Sequence, residues 1–183
     1  GMEMEGDAKI RDYGLKHEFQ YEASPRNKWR FGLQSTWHDI APGDFDMNSE
    51  LSNSINLHHR YSWENGIYAS NQLTLSDKFE VLYGLRLSIF SAMGKGEYYE
   101  LNEHKEVTDS IWYPSGKFVK TYVNLEPRVS AVYKFNDVSS VKASYARTTQ
   151  NMHLLTYVAQ GTPFDRWTSS SNNIKPQISD QFT

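Results

Sequence analysis

Read with a period of two, the chain resolves into six long runs in which apolar and polar residues alternate. In the first, Tyr13, Leu15, Phe19 and Tyr21 oppose Lys16, Glu18, Gln20 and Glu22. In the second, Trp29, Phe31, Leu33 and Trp37 oppose Lys28, Arg30, Gln34 and His38. The third sets Ile67, Ala69, Leu73 and Leu75 against Tyr68, Ser70, Gln72 and Thr74, with Asn71 an exception on the apolar side. The fourth is the clearest: Phe79, Val81, Tyr83, Leu85, Leu87 and Ile89 face away from Glu80, Leu82, Gly84, Arg86, Ser88 and Phe90. In the fifth, Leu125, Val129, Ala131, Tyr133 and Phe135 face away from Glu126, Arg128, Ser130 and Lys134; in the sixth, Val141, Ala143 and Tyr145 oppose Lys142 and Ser144. Successive side chains of a strand point to opposite sides, so each run predicts a β-strand with one apolar face. No apolar stripe of helical period competes.

The runs join in pairs through compact turn signals, Ser24-Pro25-Arg26-Asn27, Ser76-Asp77-Lys78 and Asn136-Asp137-Val138-Ser139, which predict hairpins at 24–27, 76–78 and 136–139. Between hairpins lie long polar connectors near 41–60, 93–120 and 150–177. Short turns at one end and long loops at the other describe the wall of an outer-membrane barrel. The runs are about 10–14 residues long, against about 9–11 for a tilted strand crossing a bilayer. Trp29 and Phe79 sit by the short turns, and Trp37 and Tyr61-Ser62-Trp63 by the long connectors, as in two interfacial girdles. A soluble antiparallel sheet with one face on a core shares the alternation and stands as the alternative.

Composition narrows the function classes. In 183 residues, 38% are hydrophobic and 14% aromatic, and no apolar run approaches the ~20 residues of a spanning helix. A mean hydropathy of −0.68 disfavours a helical membrane protein but not a barrel, whose strands offer lipid only every second residue. A net charge of −3 leaves no basic footprint for nucleic acid. The absence of cysteine excludes disulfide frameworks and thiolate metal sites. No Ser/His/Asp constellation has an orienting context and no carboxylate pair lies in an evident cleft, so nothing supports an enzyme, a catalytic residue or a cofactor.

Three constellations imitate sites. Asp44, Asp46, Asn48 and Glu50 open like a calcium loop, but Ser49 stands where the turn needs glycine and Ile55 where the loop needs its closing glutamate. His58 and His59, adjacent on a strand-like stretch, point to opposite sides and cannot simply share a metal. Gly94-Lys95-Gly96 precedes no helix and so is no phosphate loop. No metal site is expected.

The string Asn124-Leu125-Glu126-Pro127-Arg128-Val129-Ser130 through Lys134-Phe135-Asn136 resembles a hairpin of TonB-dependent outer-membrane receptors. The likeness continues through Ser140-Val141-Lys142-Ala143-Ser144-Tyr145-Ala146-Arg147, Gln150-Asn151-Met152-His153-Leu154-Leu155, Trp167-Thr168 and Ile174-Lys175-Pro176-Gln177. Upstream, Leu75-Ser76-Asp77-Lys78-Phe79 with Tyr83-Gly84-Leu85-Arg86 is similar to the strand–turn–strand before the large outer loop of such receptors. The resemblance runs from about residue 61 to the end, and the first 60 residues share only barrel character.

The resemblance implies an all-β antiparallel meander, residues 1–183 forming part of a large transmembrane β-barrel: six strands and the start of a seventh, with both ends cut. It implies import of a scarce nutrient, a glycan or a metal chelate, across the bacterial outer membrane, with the short turns facing the periplasm. Its implied partners are outer-membrane lipid, a plug domain of the same protein, an energy-coupling protein reached through an N-terminal box, and a surface lipoprotein. Neither plug nor box is in this sequence, and no nucleic acid is expected as a partner. Lys16, Glu18, Arg30, Arg86, Glu126, Arg128, Lys134 and Lys142 would then face the lumen, and substrate contacts would come from Tyr98, Tyr99, Trp112, Tyr113, His153 and Trp167 in the outer loops. Isolated from the rest of such a barrel, the sheet would bare both edges and is expected to self-associate. Another outer-membrane barrel, such as an adhesin or porin, and a soluble β-sheet ligand-binding module share the strand grammar and remain open at this point.

Overall fold

The computed structural model describes residues 9–41, 59–155 and 166–183. The chain forms β1 (Lys9–Ser24), β2 (Asn27–Ala41), β3 (Arg60–Ser76), β4 (Phe79–Met93), β5 (Gly96–Leu101), β6 (Val107–Tyr113), β7 (Phe118–Asn136), β8 (Ser139–Gln150), β9 (Met152–Leu155), β10 (Arg166–Ser169) and β11 (Gln177–Phe182). Among the described residues there is no helix. The predicted meander is present as one antiparallel sheet in the order β1-β2-β3-β4-β7-β8-β11, open, with β1 and β11 at its edges. The six long strands run 12 to 19 residues, longer than the alternation alone delimits. The connectors differ more from expectation. That over 93–120 carries the β5–β6 hairpin, and that over 150–177 carries β9 paired with β10. The connector at 41–60, including Asp44, Asp46, Asn48, Glu50 and His58, lies almost entirely outside the described residues.

One local device closes all three short turns. The residue entering each turn offers a side-chain oxygen to the backbone N–H two residues on: Ser24 Oγ to Arg26 (3.3 Å), Ser76 Oγ to Lys78 (3.3 Å) and Asn136 Oδ1 to Val138 (3.0 Å). Ser, Asn and Asp hold tight turns by such bonds. Each turn is also preceded by a one-residue register shift, between Glu22 and Ser24, Thr74 and Ser76, and Lys134 and Asn136. A bulge at that position adds twist where the strands reverse. Neighbouring turns are tied together, Thr74 N–H donating to Arg26 O and Lys134 N–H to Lys78 O at 2.8 Å each.

The ladder keeps the alternation in phase across the sheet. Phe19, Phe31, Ala69, Leu85 and Pro127 occupy one cross-strand row of the apolar face. Aromatic clusters flank that face: Trp29 with Phe31 and Tyr83, and Phe79 with Tyr133, toward the short turns; Trp37 with Tyr61, and Trp63 with Phe118, toward the connectors. Asn71, the exception in the pattern, is 1% exposed beneath this surface. Its amide donates to Asn27 Oδ1 (2.5 Å) and Lys28 O, so the polar group is satisfied within the β2–β3 pair.

The buried core lies at the connector end, mostly on the polar face. Ile40, Phe90 and Ala92 there are no more than 1% exposed. The third connector covers that face. Asn151 Nδ2 donates to Glu64 Oε2 (3.1 Å), and Tyr122 Oη donates to Ser171 O (2.6 Å). The Asn172 and Asn173 amides donate to Tyr99 O, joining this segment to the β5–β6 hairpin. Two connectors thus meet over the polar side of the sheet.

Candidate functional site

At mid-sheet the ladder aligns Glu18, Gly32, Tyr68, Arg86 and Glu126 in one row of the polar face across five strands. Glycine inside a strand marks a close approach of other groups. Here Gly32 leaves the space in which the Tyr68 ring lies, and Gly66 the space for the Arg86 guanidinium; a Cβ at either would collide with its neighbour. Passing over Gly32, the Tyr68 hydroxyl donates to Glu18 Oε2 at 2.5 Å. Arg30 Nε approaches the other oxygen of that carboxylate at 3.4 Å. Arg86 reaches Glu126 at 3.7 Å on one side and donates to Gln34 Oε1 at 3.4 Å on the other. Glu126 is only 6% exposed, so the pair is largely buried. Lys16 and Arg128 complete the lining of a groove of about 270 Å³ along this row. Neither makes an ion pair among the described residues, which leaves the groove with a cationic margin.

A second polar cluster sits nearer the connectors. His38 Nδ1 and Asp12 Oδ1 are 2.8 Å apart, and Glu64 Oε2 lies 4.0 Å from His38 Nε2 and accepts from Asn151. This cluster fastens the third connector to β1, β2 and β3. No group of His, Asp and Glu able to hold a metal occurs among the described residues.

Four of the six aromatic and histidine candidates share the β5–β6 hairpin, and the other two, His153 and Trp167, lie on the β9–β10 pair. On the β5–β6 hairpin, Tyr98 and Tyr113 share one face and Tyr99 and Trp112 the other. Tyr98 is 5% exposed, its hydroxyl donating to Met93 O (3.0 Å), its ring beneath the Arg60 guanidinium (4.5 Å) and edge-on to Tyr113. Those two rings pack the hairpin. Tyr99 is exposed and donates to Glu97 Oε2 (3.1 Å). Trp112 is 59% exposed and lines a rim groove of about 240 Å³ with His59, Tyr61, Lys95 and Gly96. His59 Nδ1 is 3.0 Å from Asp39 Oδ1 and its ring stacks on Tyr61. His153 Nε2 pairs with Ser170 Oγ (3.0 Å) within the third connector, and Trp167 is placed by its backbone pairing with Leu154.

A family model described as TonB dependent receptor-like, beta-barrel matches residues 4–183. The chain belongs to that family. No curated protein and no solved structure matches it. As part of a TonB-dependent receptor barrel, the apolar face looks outward and the polar face inward, because such barrels alternate apolar-out and polar-in along each strand. The Glu18–Tyr68–Arg86–Glu126 row is then on the inward face, and the two connectors fold over the connector end of that same face. The family transports and receives rather than catalyses, and resides in the outer membrane. Notably, the Arg86–Glu126 pair was legible only as two separate polar-side charges; the interior glycines at 32 and 66 were the signal that something approaches closely there.

The β5–β6 hairpin should respond to alkaline pH. Burial pushes the Tyr98 phenol above its ordinary value, against an opposing pull from the Arg60 charge. A raised folded-state value favours the protonated form, so the hairpin is fully stable below the ordinary tyrosine range, about pH 10. Stability is lost as pH rises through the folded value. A nitroxide at Ser110 should therefore gain mobility at alkaline pH in the parent protein but not in Tyr98→Phe. Equal mobilisation in both would rule out this tyrosine as the cause.

Proposed function

We propose that this chain forms a wall segment of an outer-membrane importer for a scarce, bulky nutrient, a glycan or a metal chelate. The observation that carries the reading is the inward row from Glu18 to Glu126, an ion-paired polar track beneath connectors that fold over the same face. A lumen needing only to be filled would be served by packed side chains; a groove with a cationic margin at Lys16 and Arg128 leaves room for water and a polar passenger. The short turns face the periplasm and the connectors face outward, as long loops do in such barrels. The exposed indole of Trp112, beside Lys95 and His59, is a stacking platform at the rim for a sugar ring or a chelate's aromatic arm. A plug, an energy-coupling protein and a surface lipoprotein complete the machine in this reading, and residues 1–183 belong to one barrel domain.

The test is uptake by cells expressing or lacking the receptor that contains this segment. Deletion should abolish energised uptake of ferric chelates or of oligosaccharides, and Trp112→Ala should weaken binding of that same class. Passive conductance through the purified protein in planar bilayers, with both uptakes unchanged, would instead identify a porin.

A further inference from the structure

Buried polar atoms are hydrogen-bonded in nearly every protein, so a cluster of unpaired ones calls for a partner. Among the described residues, five buried side-chain polar atoms lack one. Three of them, His38 Nε2, Ser62 Oγ and Asn151 Oδ1, belong to the cluster that fastens the third connector. His38 and Ser62 stand directly opposite each other in the β2–β3 ladder, and Glu64 follows on the same side of β3. Glu64 Oε2 lies 4.0 Å from His38 Nε2 and accepts from Asn151 Nδ2 at 3.1 Å. His38, Ser62 and Asn151 are 8%, 0% and 3% exposed. They sit on two interior strands and in the connector, closed off by residues around them, so a strand beyond β1 or β11 would not reach these atoms.

The tautomer of His38 decides what these atoms can hold. A carboxylate only accepts, so His38 Nδ1 carries the proton that it gives to Asp12 Oδ1 at 2.8 Å. In the neutral ring Nε2 is then a bare acceptor, 4.0 Å from the Glu64 carboxylate, which is also an acceptor. A cation between them serves both. The carboxylate on the far ring nitrogen is the partner that metal-bound histidines have; it fixes the ring and raises the basicity of Nε2. Metal bonds of about 2.0–2.2 Å put two ligands of a tetrahedral centre about 3.4 Å apart, so the gap need close by only about half an ångström. Asn151, its amide turned by half, places Oδ1 where Nδ2 now lies, 3.1 Å from Oε2, a spacing that suits two oxygens on one cation. Ser62 Oγ, opposite His38, is the fourth atom without a partner. Histidine, aspartate and glutamate alone do not complete a set here; an amide and a hydroxyl oxygen do. Charge agrees. Glu64 and Asp12 balance a divalent cation, while Arg60, on the same side of β3, is drawn off to Glu97 O and the Tyr98 ring.

We propose that His38, Glu64 and Asn151, with Ser62, form a site for one divalent cation of zinc's ligand class, a clasp that ties the third connector to β2 and β3. Imidazole nitrogen with carboxylate oxygen is an ordinary zinc pairing. The test uses the full receptor, stripped with a chelator and checked by its heat-modifiable folded band. Dialysis against buffered Zn2+ should leave one more zinc per receptor in the parent than in His38→Ala. Glu64→Gln and His38→Ala should each weaken that site at least about 100-fold, and Asp12→Asn, which removes only the orienting carboxylate, about ten-fold. Zinc should also slow hydrogen exchange over 151–153 at least about ten-fold in the parent but not in Glu64→Gln. Glu64→Gln, close to the parent in shape, carries the test if His38→Ala fails to fold. Equal zinc content in parent and variants overturns the clasp, as does zinc uptake that leaves the exchange unmoved. A parent that takes up no zinc overturns it too, and leaves water as the partner of these atoms.

Discussion

Replacing Arg86 by leucine should destabilise the receptor barrel by about 3 kcal/mol, the low end for removing one member of a buried ion pair. The cost falls on Glu126. Its carboxylate is 6% exposed and loses the cation 3.7 Å away. Arg86 retains some solvent contact, which keeps the value below that of a fully dry pair. A second change isolates the cause. Glu126→Gln in the Arg86→Leu background removes the stranded charge and should recover most of the loss, whereas Glu126→Gln alone should cost less than Arg86→Leu. The urea midpoint of the heat-modifiable folded band, compared across this cycle, measures the coupling. A loss under about 0.5 kcal/mol for Arg86→Leu, the range of ordinary surface changes, would mean that the row is not a connected network.

Truncating Phe90 to alanine should cost about 3–5 kcal/mol, as for a fully buried aromatic. Phe90 is 0% exposed, packed on the inward face where the connectors fold down. The damage should be local to that end. Hydrogen exchange should rise over 151–153 and 166–171, whose bonds to Glu64 and Tyr122 depend on the seating of the connector, while the short-turn hairpins stay protected. Leu85→Ala is the informative contrast. Leu85 lies on the outward face and is 46% exposed in the protein alone, so lipid replaces much of what its side chain touches. It should cost clearly less than Phe90→Ala.

These two sites also mark where sequence reading succeeds and fails. The hairpins were legible because their causes are local: Ser24, Ser76 and Asn136 each hold a backbone N–H two residues away. The faces were legible because alternation survives every cross-strand step from β1 to β8. Asn71 broke the pattern on paper yet keeps its place, since its partners Asn27 and Lys28 come from the neighbouring strand. The folding-in of the connectors was not legible. It depends on Tyr122 reaching Ser171 and Asn151 reaching Glu64, contacts between residues 49 and 87 apart in the chain. Residue type alone does not tell the packed ring of Tyr98 from the open one of Trp112. The outward position of Arg147 is not legible in the sequence, because β8 is rich in small polar residues on both sides; it emerges only from the pairing with β7 and β11.

The central claim is that one face of this sheet meets lipid and the other meets a watery lumen. Nitroxide labels placed singly from residue 81 to 88 of β4, in the full receptor reconstituted in bilayers, test it residue by residue. Collisions with oxygen, which concentrates in lipid, should peak at Val81, Tyr83, Leu85 and Leu87. Collisions with a water-soluble nickel chelate should peak at the intervening positions 82, 84, 86 and 88. Two accessibility waves of period two in opposite phase are the predicted result; waves in the same phase, or a nickel maximum at Leu85 and Leu87, would contradict the account.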